Sequence, residues 1–135
     1  LIWAMHPRTE KNLKQFGFWK QLFLAKNLIL LKPLGYLEML RLNMAARIIL
    51  TDSGGIQEEC TVLGTPCITM RSNTERPVTL RENGGVSVLV GNNVENIRNE
   101  YLRTLQEKHK PCRPELWDGF TSERCLKAIL EFNEG

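Results

Sequence analysis

No apolar run in this sequence approaches the roughly 18 residues that a membrane-spanning helix requires, so nothing in it reads as a membrane span. Neither charge is in large excess. Lys and Arg number 18 against 15 Asp and Glu, a net +3 dispersed along the chain, and no nucleic-acid surface is expected from it. Cys60, Cys67, Cys112 and Cys125 have neither C-x-x-C nor zinc-ligand spacing. Reduced thiols in a cytoplasmic domain are therefore expected, with no metal site. The chain opens Leu1-Ile2-Trp3-Ala4-Met5, without an initiator Met and without the basic start, apolar stretch and cleavage site of a signal peptide. A strand-like run at residue 1 needs neighbours, so these residues are expected to be the C-terminal part of a longer protein.

What is present suits one globular domain: 135 residues, 42% hydrophobic and 24% charged. Short apolar runs at 1–5, 27–32, 47–50, 67–70 and 86–90 read as buried strands. Stretches of helical period alternate with them at 10–16, 36–46, 56–63, 93–108 and 121–132. Thr9 is expected to cap the first helix and Gly17 to end it. Leu37, Leu40 and Met44 are expected on one buried stripe and Ile56, Cys60 and Leu63 on another, whereas 93–108 is expected to be a charged, solvent-facing helix whose apolar stripe is only Val94, Ile97, Tyr101 and Leu105. The alternation predicts an α/β fold, a Rossmann-like open parallel sheet of five strands with helices on both faces. In such sheets ligands lie beyond the carboxyl ends of the strands. That directs attention to the turns after each strand and to the long polar loop 71–85.

Asp52-Ser53-Gly54-Gly55 follows a strand and opens a helix, so its N–H groups stand at the positive end of a helix dipole and suit an anion. Two adjacent glycines remove the side chains that would keep a phosphate off the backbone, and Ser53 adds a hydroxyl. The same residues also fit a capped helix after a tight turn, with no ligand. Glu58 and Glu59 lie one turn further on. A carboxylate repels phosphate but accepts hydrogen bonds from a vicinal diol, which suggests Glu59 on a ribose; solvated first-turn acids are the alternative. Arg76 can pair with a diphosphate if its loop folds toward Ser53, and a surface loop with an internal Arg–Glu pair is the other reading. His6 suits either a proton carrier or a hydrogen-bonded turn. His109 reads as solvated and Trp117-Asp118-Gly119 as a structural turn.

Pro33-Leu34-Gly35-Tyr36-Leu37-Glu38, the run 50–59, Met70-Arg71 and Asn73-Thr74-Glu75-Arg76-Pro77 together resemble the non-hydrolysing UDP-N-acetylglucosamine 2-epimerase family. His6-Pro7-Arg8-Thr9 and Trp117-Asp118-Gly119 also look like family landmarks, so the resemblance runs along nearly the whole chain and corresponds to the family's C-terminal half. It implies a two-domain fold of the glycosyltransferase-B type, with residues 1–135 as the UDP-binding domain and the N-terminal domain outside this sequence. On that resemblance Ser53, Gly54, Gly55 and Arg76 hold the UDP phosphates, Glu59 the ribose, and Leu34 and Met39 the uracil region; His6, Thr74 and Glu75 are further cleft residues. Met39 stands where many members have Phe, and Val78 where an acidic residue is common.

The family reaction is an isomerisation. UDP is expelled to give a 2-acetamidoglucal, the configuration at carbon 2 changes, and UDP adds back, converting UDP-N-acetylglucosamine to UDP-N-acetylmannosamine for polysaccharide biosynthesis. No cofactor is implied, and no catalytic residue falls in this segment, since the carboxylates that move the proton belong to the N-terminal half. A homodimer is implied for the full-length enzyme. A glycosyltransferase donor domain and a non-catalytic nucleotide-sugar binding module are the competing classes. The apolar face of the last helix, with Cys125, Leu126, Ile129 and Leu130, is expected to be partly exposed.

Overall fold

Five short parallel strands pair in two sets in the computed structural model, which describes residues 1–107 and 110–133. The chain divides accordingly into two units, Leu1–Leu42 and Asn43–Gly135.

In the first unit β1 (Ile2–Ala4) runs parallel to β2 (Ile29–Leu31), with Trp3 opposite Leu30. Helix α1 (Pro7–Gln15) begins three residues earlier than the sequence suggests. Its cap is His6 rather than Thr9, because Pro7 presets the first helical φ and the His6 Nδ1 accepts from the Arg8 N–H at 3.2 Å. Gly17 ends it as expected, at φ 77°. The Gly17 N–H returns to Lys14 O at 3.3 Å and the Phe18 N–H to Leu13 O at 2.9 Å, the paired closure that a left-handed residue permits. A second helix, α2 (Trp19–Leu24), has no counterpart in the sequence reading. Its Trp19 and Phe23 rings, one turn apart, meet edge to face at 5.6 Å.

Helix α3 (Tyr36–Ala45) forms where its period places it, but the stripe is rotated. Leu37 and Met44 are exposed; Met39 and Leu40 are half-buried and Asn43 is buried. The reason is polar: the buried Asn43 amide donates to Glu59 Oε2, a hydrogen bond that only an inward side chain can reach, and its neighbours at i−3 and i−4 turn inward with it.

In the second unit β3 (Ile49–Thr51), β4 (Cys67–Thr69) and β5 (Ser87–Leu89) form one parallel sheet in that order, with Thr51 opposite Thr69 and Ile68 opposite Val88. Helix α4 (Gly54–Leu63) crosses from β3 to β4 and stops at Gly64, φ 75°. Its Cys60 packs with Ile49, Cys67 and Val86 as the core, and Ile56 and Ala46 lie against it. The loop after β4 is ordered by two short 3-10 turns, Pro77–Thr79 and Arg81–Asn83. Helix α5 (Val94–Thr104) follows β5 and falls within the expected 93–108; Lys108 and His109 lie outside the described residues. Its inner face holds only part of the apolar stripe, the half-buried Ile97 and Leu105. Val94 and Tyr101 are exposed, whereas Glu100 and Thr104 are buried, because Arg81 reaches across to both. Helix α6 (Thr121–Asn133) leaves Leu126, Ile129 and Leu130 exposed, as expected.

The turn before α6 is held by charge. Arg124 donates to both Asp118 carboxylate oxygens at 2.8 and 2.9 Å and to the carbonyl of Leu116, a residue at φ 68°. The Arg124 guanidinium, with the Phe120 N–H, holds the Asp118 carboxyl down at about 2. A depressed carboxyl favours folding above its unfolded value of about 4, and the contribution disappears as pH falls through about 2. An NMR titration should therefore find the Asp118 midpoint at about 2 and Arg124→Met should return it to the ordinary range; a normal midpoint in the unaltered protein would remove this anchor.

Candidate functional site

Parallel neighbours send their carboxyl ends to the same edge, so the turn after β3 and the loop after β4 meet. At the end of β3 the Thr51 hydroxyl accepts from the Ser53 N–H at 3.0 Å and sets the turn. Ser53 then caps α4, its Oγ accepting from the Ile56 N–H at 3.4 Å and its carbonyl from the Gln57 N–H at 3.2 Å. Among the described residues no acceptor meets the N–H of Gly54 or Gly55. Their lack of side chains has no internal cause either. A Cβ on Gly54 would lie 3.7 Å from Arg76 Cγ and one on Gly55 3.9 Å from Ser53 Oγ, both ordinary contacts, and neither glycine has a positive φ.

The loop brings Arg76 to this turn, its stem crossing in front of Gly54. The guanidinium Nε pairs with Glu58 Oε1 at 2.6 Å, and Nη1 donates to the Glu75 carbonyl at 3.3 Å. The internal Arg–Glu pair is also present: Arg71 grips Glu75 with two hydrogen bonds of 3.0 and 2.8 Å. Arg71 holds the Glu75 carboxyl below its usual range, and Glu75 raises Arg71 in turn. Glu75, a cleft residue on the family resemblance, is exposed and paired with Arg71. The Thr74 hydroxyl donates inward to Gln57 Oε1 at 2.9 Å.

Glu59 is oriented by Asn43, whose Nδ2 donates to its Oε2 at 2.9 Å; Asn43 is itself held by the Thr65 hydroxyl on its carbonyl at 3.1 Å. Asn43 and Gln57 are the residues that sequence reasoning missed. Their signal was visible, an amide inside an otherwise apolar helical face, since such groups are buried only with partners. Arg81 was missed as well. It donates to Glu100 at 2.7 Å and Thr104 at 2.9 Å and pairs with Glu107 at 3.2 Å, fastening the far end of the loop to α5. A hollow of ≈ 390 Å³ lined by Val88, Leu89, Asn96 and Arg103 contains none of the candidate residues.

Leu34, Met39 and His6 belong to the first unit. Leu34 and Met39 are half-buried, and the Gly35 N–H beside them donates to Glu38 Oε2 at 2.9 Å. His6 caps α1, as the turn reading has it. Cys60, Cys67, Cys112 and Cys125 are free thiols; the Cys67 thiol beside it and burial push the Cys60 thiol up, which keeps it neutral. Among the described residues no group of three metal-ligating side chains gathers and no helix is long and apolar enough to cross a membrane.

Parallel strands joined by helices, with a glycine-bearing helix N-terminus at the strand ends, define a Rossmann-like α/β protein. The family model of UDP-N-acetylglucosamine 2-epimerase matches residues 1–130, and the chain belongs to that family. It is 41% identical over 129 residues to the UDP-N-acetylglucosamine 2-epimerase of Methanocaldococcus jannaschii, covering 96% of this chain and 34% of that protein. It is 46% identical over 99 residues to that of Methanococcus maripaludis, covering 73% and 26%. The M. jannaschii enzyme solved in complex with UDP-GlcNAc and UDP superposes with a TM-score of 0.82 at 42% identity, over 94% of this chain and 35% of that one. These relatives have the glycosyltransferase-B type fold. The chain thus spans about a third of the length of the relatives it matches.

Proposed function

We propose that this chain is the C-terminal, UDP-gripping domain of a two-domain UDP-N-acetylglucosamine 2-epimerase. The observation that carries the reading is the start of α4, where the N–H groups of Gly54 and Gly55 have no acceptor among the described residues and stand behind two glycines that packing does not require. A diphosphate seated there receives those N–H groups, the Ser53 hydroxyl and the Arg76 guanidinium. Departing UDP gains negative charge, so donors held in place before the bond breaks stabilise the leaving group. Binding replaces Glu58 as the Arg76 partner. That exchange is inexpensive because both side chains are more than a third exposed and such pairs contribute little.

Glu59, turned by Asn43, receives the ribose hydroxyls. Leu34 and Met39 take the uracil on the strength of the family resemblance. The proton at carbon 2 is moved by carboxylates of the N-terminal domain, and the enzyme works as a cytoplasmic homodimer supplying UDP-N-acetylmannosamine to polysaccharide synthesis. Hydrogen exchange tests the site: UDP added to the complete protein should slow exchange at residues 53–59 and leave α5 unchanged. Equal exchange at 53–59 with and without UDP would remove the phosphate turn.

A further inference from the structure

We propose that Gln57 is a positioning residue, a buried node that sets where Arg76 stands over the Ser53 turn; the inference rests on the UDP reading above. Gln57 is wholly buried on α4, among positions where Ile56, Cys60 and Leu63 supply apolar packing. An amide there is unfavourable unless its groups are paired. Its partners are instructive. Nε2 lies 3.4 Å from the carbonyl of Ser53, the residue that caps the helix. Oε1 accepts from the Thr74 hydroxyl at 2.9 Å and lies 3.4 Å from that of Thr79.

Those two hydroxyls flank Arg76. Thr74 Oγ1 accepts from the Arg76 N–H at 3.0 Å, and the Thr79 hydroxyl donates to the Arg76 carbonyl at 2.7 Å. The peptide on the amino side of the arginine is thus tied, through Thr74 and Gln57, to the helix whose first turn meets the phosphates, while Thr79, beside Gln57 Oε1, gives its one hydroxyl proton to the Arg76 carbonyl. The side chain itself is held only by surface contacts, chiefly Glu58. The division of labour follows: the exposed ion pair can exchange for phosphate, while buried hydrogen bonds keep the loop at a fixed distance from the turn. Without the node Arg76 keeps its charge and loses its address.

A double-mutant cycle on the complete protein, read by UDP titration calorimetry, tests this. Arg76→Ala should weaken UDP binding about tenfold or more in the unaltered protein. In a Gln57→Leu background the same change should weaken it less than about twofold, because the arginine is already misplaced. Thr74→Val, which keeps shape and removes only the hydroxyl, should likewise shrink the Arg76 factor, and it decides the matter if Gln57→Leu does not fold. A residue that merely stabilised the domain would leave the Arg76 factor intact. The full factor in both backgrounds therefore overturns the role of Gln57 and leaves the UDP reading standing. No UDP binding to the unaltered protein, or no effect of Arg76→Ala in it, overturns the UDP reading and this inference with it.

Discussion

Changing Gly54 and Gly55 together to alanine should weaken UDP binding by the complete protein about 100-fold while leaving thermal stability equal or slightly higher. The two effects separate because they have different causes. Within the chain each new Cβ meets nothing closer than 3.7 Å, and both residues have helix-compatible φ. Alanine is favoured over glycine in helices by up to about 1 kcal/mol, and less in a first turn. Outside the chain the two methyl groups stand where phosphate oxygens approach the Gly54 and Gly55 N–H groups. Charge-assisted hydrogen bonds of this kind contribute about 1.5–3 kcal/mol each, so losing two gives the expected factor. Calorimetric titration with UDP and a melting curve on the same sample make the comparison. Unchanged affinity would mean that the turn is only a helix cap.

The largest stability loss is expected from Gly85→Ala, about 3 kcal/mol, with Gly84→Ala next to it costing only about 1 kcal/mol. The neighbours differ in what surrounds them. Gly84 has φ 88° but open space around its Cβ position, so only the left-handed backbone opposes a side chain. At Gly85 a Cβ would fall 2.0 Å from the Thr79 carbonyl oxygen and 2.2 Å from its carbon. Those are backbone atoms and cannot rotate aside. Nor can Thr79 retreat readily: its N–H is bonded to Arg76 O at 3.0 Å, and the Gly85 N–H returns to Leu80 O at 2.8 Å. Urea unfolding of the two variants measures the difference. Equal losses would show that the Thr79 contact is not a constraint. Because Thr79 also holds the Arg76 carbonyl, Gly85→Ala should weaken UDP binding too.

Much of the site was readable along the chain where its determinants are local. The Ser53 cap and the glycine pair depend on residues within a few positions of each other, and they stand where expected. The cap of α1 was misread by three residues because Pro7 made His6 the more suitable capping residue than Thr9. The faces of α3 and α5 were misread for a different reason. Apolar periodicity assigns the inner face to carbon, whereas Asn43, Glu100 and Thr104 are drawn inward by partners on other elements. Short helix α2 escaped because six residues carry too little period to stand out.

The sequence by itself determined the order of the strands and of every helix but α2, the family, and the chemistry available after β3: free N–H groups, a hydroxyl, a carboxylate and an arginine. Those follow from backbone preferences and residue types, which act over a turn or less. The tertiary structure alone decided which groups face one another. Glu59 meets Asn43, Thr74 meets Gln57 and Thr79 meets Gln57 across 16, 17 and 22 residues of chain. Such pairs arise only when helices and loops distant in sequence are packed side by side, and no local pattern encodes that distance. That the Thr74 hydroxyl meets Gln57 and the Arg76 guanidinium meets Glu58 was decided there.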